Sequence, residues 1–262
     1  MPEIGIIGGS GVYSTPGVEF LREETVSTPY GEPSDSFRIC RIEGVEVAFL
    51  NRHGREHIVA PHKVNYMANI WAFKTLGVRH ILATGAVGGI DENLHPGDFV
   101  LVEQIIDMTK SRPSTFYEEG AVYHVDFTEP YCWQMRQSVL KASNALNIEV
   151  YNGGTYVCTE GPRLESKGEI HFFKKLGASV VGMTTMPEAA LARELEICFC
   201  TLCIVTNYAA GIAEGRHLTA KEVVETMNTR AELLGQLIRK SVMFIPEKRL
   251  CHCKDALKEA KI

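Results

Sequence analysis

Apolar runs alternate with amphipathic segments along the chain, and this pattern predicts an α/β fold with a mostly parallel sheet covered by helices. Short apolar runs predict strands at residues 4–7, 45–50, 80–83, 99–102, 105–106, 156–159, 180–182 and 197–205. Apolar positions at helical spacing predict helices at residues 62–76, 129–146, 166–176, 187–196 and from 219 to about 242. We expect one domain over residues 1–246 and a polar C-terminal tail over residues 247–262.

Small or polar residues follow the predicted strands at six places. These are Ser10, Arg52 with His53, Gly85 with Ala86, residues 160–165, Met183 with Thr184, and Asn207. In open α/β sheets, ligands bind at the carboxyl ends of the strands. Six such coincidences therefore predict a ligand site at this edge of the sheet.

Several of these segments suit an anion such as phosphate. The glycine-rich residues 8–11 (GGSG) can cradle an anion with backbone N–H groups or form a simple tight turn, and they match neither the dinucleotide nor the P-loop pattern. Arg52 can donate two hydrogen bonds to an oxyanion, although a solvated charged loop is the plainer alternative. Met183 can lie under a sugar or simply fill the core.

A carboxylate and a carboxamide stand in two separate segments, Glu165 within residues 160–165 (EGPRLE) and Asn207 within residues 206–209 (TNYA). A carboxylate accepts from the N1–H of a 6-oxopurine, and an amide donates to N7 or O6. No GxSxG or other nucleophile arrangement for covalent catalysis is evident. The pattern therefore favours a reaction in which a bound anion attacks.

Composition excludes several other classes of protein. Hydrophobic residues make up 45% of the chain and charged residues 23%, as in ordinary globular proteins. The net charge of −5 argues against a nucleic-acid partner. No apolar stretch reaches the roughly 18–20 residues of a membrane span, and the first residues lack the basic region of a signal peptide. We expect a soluble cytoplasmic protein with a small-molecule substrate.

Eight cysteines are many for such a chain, and most are expected to be small buried apolar residues. A metal site is not expected, because no CxxC pair meets a second pair at zinc-ligand spacing. Cys251-His252-Cys253 on the polar tail suggests a vicinal thiol or a disulfide. Intracellular disulfides are chiefly a trait of hyperthermophiles, so a thermophile origin is a hypothesis here.

Six motifs follow one another along the chain: residues 5–11 (GIIGGSG), 51–54 (NRHG), 61–66 (PHKVNY), 97–98 (GD), 160–163 (EGPR) and 182–188 (GMTTMPE). In this order they resemble the methylthioadenosine phosphorylase branch of the trimeric purine nucleoside phosphorylases, and the resemblance runs from about residue 4 to about residue 245. It implies a single phosphorylase domain with a central twisted, partly barrel-like mixed sheet surrounded by helices. It also implies a homotrimer or a dimer of trimers, no metal or organic cofactor, and reversible phosphorolysis of purine nucleosides by inorganic phosphate.

The resemblance also implies roles for single residues. Ser10, Arg52, His53, Gly85, Ala86 and Thr184 would bind phosphate. Met183 would lie against the ribose, His124 would reach the neighbouring subunit's sugar pocket, and Leu164 would stand near the base, where adenosine-type members carry Phe. Related archaeal members suggest Cys132–Cys198 and Cys251–Cys253 as disulfides.

The departures from the family pattern concern the base. Members specific for methylthioadenosine carry Asp-Tyr-Asp where this chain has Asn207-Tyr208-Ala209, and tend to carry Ser in place of Glu165. Both differences resemble 6-oxopurine enzymes, so we predict inosine or guanosine as substrates, with Asn207 and Glu165 as catalytic residues. Ordinary oxopurine enzymes use His where this chain has Ala220. This small apolar residue leaves room for a 5′-methylthio group, so 5′-methylthioinosine is a further candidate substrate. The alternatives are a methylthioadenosine phosphorylase and a non-catalytic nucleotide or phosphate sensor.

Overall fold

The computed structural model describes residues 1–9, 17–213 and 219–262, with the side chain of Ala220 excepted. Within these residues the chain folds into helices around one mixed sheet, which confirms the predicted α/β class. The strands are β1 (Ile4–Gly8), β2 (Val18–Glu24), β3 (Phe37–Ile42), β4 (Val45–Asn51), β5 (His80–Gly89), β6 (Phe99–Leu101), β7 (Gln104–Met108), β8 (Val150–Asn152), β9 (Thr155–Thr159), β10 (Ala178–Gly182) and β11 (Cys198–Tyr208). The helices are α1 (Tyr66–Thr75), α2 (Trp133–Leu146), α3 (Lys167–Lys175), α4 (Thr185–Glu194) and α5 (Ala220–Phe244).

Strand β5 lies at the centre of the sheet and has three partners. β11 runs parallel to it along its whole length. On the opposite edge, β1 pairs in parallel with residues 80–83, and β10 pairs antiparallel with Gly88 and Gly89. Within the described chain, residues 84–87 therefore have no strand partner on this edge. The sheet has a gap there.

The central strands are buried on both faces. All five residues of β1 and of β10 are buried, as are the first nine residues of β11. Strands with such continuous apolar runs are the easiest to predict from the sequence. Strands β2, at the edge of the sheet, and β3, its neighbour, were missed because charged residues interrupt both and β2 is largely exposed. The short β8 was missed as well.

Several predicted boundaries were wrong. The glycine-rich residues 84–89 and residues 206–208 were predicted to follow strands, but they extend β5 and β11, because the two strands pair with each other over that length. Helix α2 begins at Trp133 rather than at residue 129. The reason is that Cys132 is extended and donates its N–H to the Phe199 carbonyl, which joins this segment to β11.

The segment 62–76, predicted as one helix, consists of a short 3₁₀ turn, Pro61–Lys63, followed by α1. The Asn65 side chain caps α1 by accepting from the Ala68 N–H. At α5 the Thr219 hydroxyl caps the first turn by accepting from the Glu222 N–H.

The C-terminal residues pack against two parts of the body. Cys251 and Cys253 are buried, and His252–Asp255 form a 3₁₀ turn. Further on, the Ala260 carbonyl accepts from the His124 N–H, and the Ile262 N–H donates to the Val122 carbonyl. The tail therefore ends alongside the segment that carries His124. Among the described residues, no helix has the length and apolar character needed to cross a membrane.

Candidate active site

The gap in the sheet is approached by strand ends from two directions. β1 runs parallel to β5 and ends beside Ala83. β10 runs the opposite way and ends at Gly182, one residue beyond the Val181–Gly88 pair. The carboxyl ends of two oppositely running groups of strands thus meet along the unpaired edge of residues 84–87. Of the predicted polar segments, Arg52 and Thr184 lie beside this edge, whereas Asn207 stands on β11 at the other edge of β5.

Backbone groups of β5 face this gap. The Thr84 carbonyl accepts a hydrogen bond at 2.8 Å from the Arg52 Nη1. Because backbone groups alternate between the two edges of a strand, the N–H of Ala86 points to the same edge as the Thr84 carbonyl. An amide donor and a guanidinium are therefore directed into one opening.

Arg52 is held by a buried ion pair with Glu188. The two side chains are only 3% and 0% exposed, and the carboxylate accepts from Nε at 2.6 Å and from Nη2 at 2.9 Å. Burial alone would lower the pKa of Arg52, but the charge and hydrogen bonds of Glu188 outweigh it and raise that pKa. A guanidinium has five N–H groups, and three are engaged here. Two remain for an anion.

His53 is neutral in this environment. Burial, with the positive charge of Arg52, lowers the pKa of His53 to about 4. Its Nδ1 lies 2.8 Å from the Val59 carbonyl, which can only accept, so Nδ1 carries the proton. The free Nε2 is then an acceptor, which suits a phosphate that still carries one hydroxyl.

Met183 and Thr184 follow β10 and lie against glycines of other strands. The Thr184 hydroxyl is 3.5 Å from where a Cβ would stand on Gly85. The Met183 sulfur is 2.6 Å from the corresponding position on Gly161, whose φ of +67° also favours glycine. Glycine at position 161 therefore suits both the backbone conformation and the close approach of Met183.

Glu165 and Asn207 are oriented by neighbouring hydroxyls. Glu165 accepts from the Thr159 hydroxyl at 2.7 Å, and the Asn207 Oδ1 accepts from the Thr206 hydroxyl at 2.9 Å. The Asn207 Nδ2 uses one N–H on the Tyr208 carbonyl and keeps a second. A half-buried acceptor, Glu165, is thus fixed on the loop after β9, and a half-buried donor, Asn207, is fixed on β11.

A cavity of about 160 Å³ opens between the end of β11 and the first turns of α5. Asn207, Tyr208 and Ala209 line one side of it, and Glu222 with Thr226 line the other. Glu165, Met183 and Thr184 are not among its lining residues. The cavity therefore reaches the Asn207 side of the predicted site without covering all of it.

The remaining predicted residues stand apart from this arrangement. Leu164 is 47% exposed, and His124 is exposed on the surface segment beside the tail. Ser10 and the side chain of Ala220 lie outside the described residues.

Sequence reasoning missed two buried side chains that support the site. Glu188 lies within the 182–188 motif, but no role was predicted for it. The Arg112 guanidinium donates to the carbonyls of Met183, Met186, Thr159 and Glu160 and to the Tyr66 hydroxyl, at 2.6 to 3.2 Å. Arg112 comes from a polar stretch without periodicity, so no sequence signal pointed to it.

Taken together, the fold is that of an α/β protein whose ligand site forms where strand carboxyl ends meet. The chain belongs to the phosphorylase superfamily, whose family model matches residues 3–242. It is 53% identical to the 6-oxopurine nucleoside phosphorylase of Pyrococcus furiosus, with 99% of each chain covered. It is 49% identical to a probable S-methyl-5′-thioinosine phosphorylase of Thermodesulfovibrio yellowstonii, covering 98% of this chain and 97% of that one.

A solved structure has the same fold over the whole chain. It is a methylthioadenosine phosphorylase sourced from an antarctic soil metagenomic library, 39% identical, with a TM-score of 0.95, covering 100% of this chain and 92% of that one.

Proposed function

We propose that the protein is a purine nucleoside phosphorylase, a pentosyltransferase that cleaves 6-oxopurine nucleosides with inorganic phosphate. The substrates would be inosine and guanosine, with 5′-methylthioinosine as a further candidate, and the products a purine base and the (5-methylthio)ribose 1-phosphate. The observation that carries this proposal is the pair of oriented side chains, Glu165 as acceptor and Asn207 as donor. The names of relatives at 53% and 49% identity support it.

The base specificity follows from which groups can pair. Glu165 accepts from the purine N1–H, and the free N–H of Asn207 donates to O6 or N7. An adenine base would set its unprotonated N1 against the carboxylate. A mismatched buried pair costs about 1–3 kcal/mol, so two of them shift specificity by orders of magnitude.

Phosphate would bind at the gap in the sheet. Arg52 supplies its two unused N–H groups, Ala86 its backbone N–H, and Thr184 its hydroxyl. The neutral His53 accepts from the phosphate hydroxyl. Gly85 leaves room beside Thr184, and Ser10 completes the set that the family resemblance implies.

The chemistry then needs no organic cofactor. The C1′–N9 bond breaks with its electron pair going to the purine, and the bound phosphate stabilises the positive charge that develops on the sugar. A phosphate oxygen bonds to C1′ from the opposite face, with inversion. The proton that HPO₄²⁻ loses balances the proton that the purine gains, and Asn207 stabilises the base as N7 is protonated.

In the proposed assembly, a homotrimer or a dimer of trimers, His124 reaches the sugar pocket of the neighbouring subunit. Met183, Tyr208, Ala209 and Leu164 complete the ribose and base contacts. The proposed location is the cytoplasm.

The decisive test compares inosine, 5′-methylthioinosine and 5′-methylthioadenosine in parallel phosphorolysis assays that detect the sugar 1-phosphate. We expect kcat/KM to be at least about tenfold higher with the 6-oxopurines. A preference for methylthioadenosine would make the protein a methylthioadenosine phosphorylase instead. Absence of sugar 1-phosphate with all three would leave only a binding function.

Asn207→Asp tests the assignment of the donor. An aspartate repels O6 and accepts from a 6-amino group, so kcat/KM for inosine should fall by about 100-fold or more while that for methylthioadenosine rises. The exposed Asn144 on α2 provides the control, because Asn144→Asp makes the same chemical change away from the site. Near-normal inosine turnover in Asn207→Asp would refute the role given to Asn207.

A further inference from the structure

Four cysteines from three distant parts of the chain meet in the core, away from the residues assigned to catalysis. They are Cys132 at the start of α2, Cys198 at the start of β11, and Cys251 and Cys253 in the tail. Each is at most 3% exposed. Their sulfurs all lie within 4.8 Å of one another, and the sulfurs of Cys198 and Cys251 are 3.3 Å apart.

These distances suit four ligands around one ion. Zinc binds thiolate sulfur at about 2.3 Å in tetrahedral geometry, which puts neighbouring sulfurs about 3.8 Å apart. The sulfur–sulfur distances in the cluster span that value, so small side-chain rotations would be enough to reach tetrahedral geometry. The expected Cys132–Cys198 and Cys251–Cys253 disulfides are not formed in the structure, where all eight cysteines are free.

Backbone contacts hold the four positions in place. The Cys132 N–H donates to the Phe199 carbonyl at 2.7 Å, which fixes the start of α2 beside β11. The Gln134 side chain accepts from the N–H groups of Leu250 and Cys251 at 2.6 and 2.7 Å. The two halves of the cluster are therefore joined by hydrogen bonds that do not involve sulfur.

We propose that Cys132, Cys198, Cys251 and Cys253 form a structural site for one Zn²⁺ ion. Four buried thiolates fill a tetrahedral shell and leave no position for substrate, which is typical of structural rather than catalytic zinc. The sequence argument against a metal site required CxxC pairs, whereas here the ligands come from three segments that only the fold brings together. The ion would fasten the tail, whose Ala260 carbonyl accepts from the His124 N–H.

The test measures metal content in full-length protein purified without chelators. We expect about one zinc per chain by elemental mass spectrometry, and its release when the thiols are modified. Cys253→Ala should lose the metal. Cys200→Ala, a change of another fully buried cysteine only two residues from Cys198, should retain it.

A second measurement uses the unmodified chain and so does not depend on whether a variant folds. Reduced, metal-free protein is titrated anaerobically with Co²⁺, and the intense absorption of tetrahedral cobalt thiolate should appear at one equivalent and vanish when Zn²⁺ is added. Failure of the reduced protein to bind either ion would overturn the proposal. So would mass-spectrometric mapping of the four sulfurs as disulfides that persist when Zn²⁺ and a reductant are supplied together. Phosphorolysis is measured in the same samples. Cleavage without metal binding would refute the zinc site alone, and metal binding without cleavage would refute only the proposed function.

Discussion

Arg52 shows at the scale of single residues how a buried charge can stay available to a ligand. Glu188 binds one side of the guanidinium and compensates its charge, while the Thr84 carbonyl fixes its direction. An isolated buried charge would be costly, but a hydrogen-bonded pair is tolerated. The unused N–H groups are therefore held in place before any anion arrives.

Removing the charge of Glu188 should disturb this arrangement. In Glu188→Gln the guanidinium loses its counter-charge in a site with almost no solvent, so the free energy of unfolding should fall by about 3 kcal/mol. The KM for phosphate should rise by about tenfold or more, because Arg52 is no longer held in position. Steady-state kinetics at varied phosphate and denaturant unfolding measure the two effects.

Glu194→Gln is the matched control, since Glu194 is buried on the same helix but accepts from the Phe116 N–H. It should leave the phosphate KM unchanged. An equal rise in both variants would contradict the specific role of Glu188.

At the scale of elements, Arg112 ties together the two loops that follow the paired strands β9 and β10. Its guanidinium reaches carbonyls after β9 and after β10, and its Nε lies 3.5 Å from the Glu160 carboxylate. The loop that carries Glu165 is thereby fixed relative to Met183. Arg112 acts on the substrate only by positioning these loops.

Arg112→Lys keeps the positive charge but loses the planar guanidinium group with its several N–H donors. The two loops should therefore no longer be held together. We expect the KM for nucleoside to rise about tenfold with a smaller fall in kcat, while the KM for phosphate stays close to normal. Arg163→Lys is the control, because Arg163 lies in the same loop but is exposed and pairs with Glu169. A change confined to thermal stability would show that Arg112 has only a structural role.

The sequence predicted those elements whose burial determines their pattern. β1, β10 and β11 are such elements, since they are buried along nearly all of their length. The glycine-rich end of β5 could not be recognised as strand, because its extended form depends on pairing with β11. Local propensity contains no information about that partner.

At the scale of the whole molecule, the site depends on strand directions that one sequence does not reveal. The chemistry of Glu165 and Asn207 could be inferred from residue type alone. Their placement in space depends on β9 and β10 running antiparallel to β5, while the apolar pattern favoured a mostly parallel sheet. The four-cysteine cluster could not be predicted for the same reason, because its members are separated in sequence by up to about half the chain.

Stability of the whole fold should depend on pH through His53. Its pKa is about 4 in the folded protein and near 6.5 when unfolded, so between these values the unfolded chain binds more protons. The free energy of unfolding should therefore fall as pH decreases from about 6.5 to about 4, by on the order of 3 kcal/mol from this group. Denaturant unfolding at several pH values measures it.

His53→Asn removes one titrating ring and should reduce this part of the pH dependence by about half, because burial lowers the pKa of His80 to about 4 as well. An unchanged pH dependence in His53→Asn would show that other groups cause the loss of stability.

The gap beside residues 84–87 has a consequence for how this protein can vary. Successive backbone amides of β5 face opposite edges of the strand. Inserting or deleting one residue would therefore turn each following N–H and C=O group toward the other edge. The amide of Ala86 would turn toward β11, and the carbonyl that accepts from Arg52 would be replaced. The length of this stretch therefore has to stay constant.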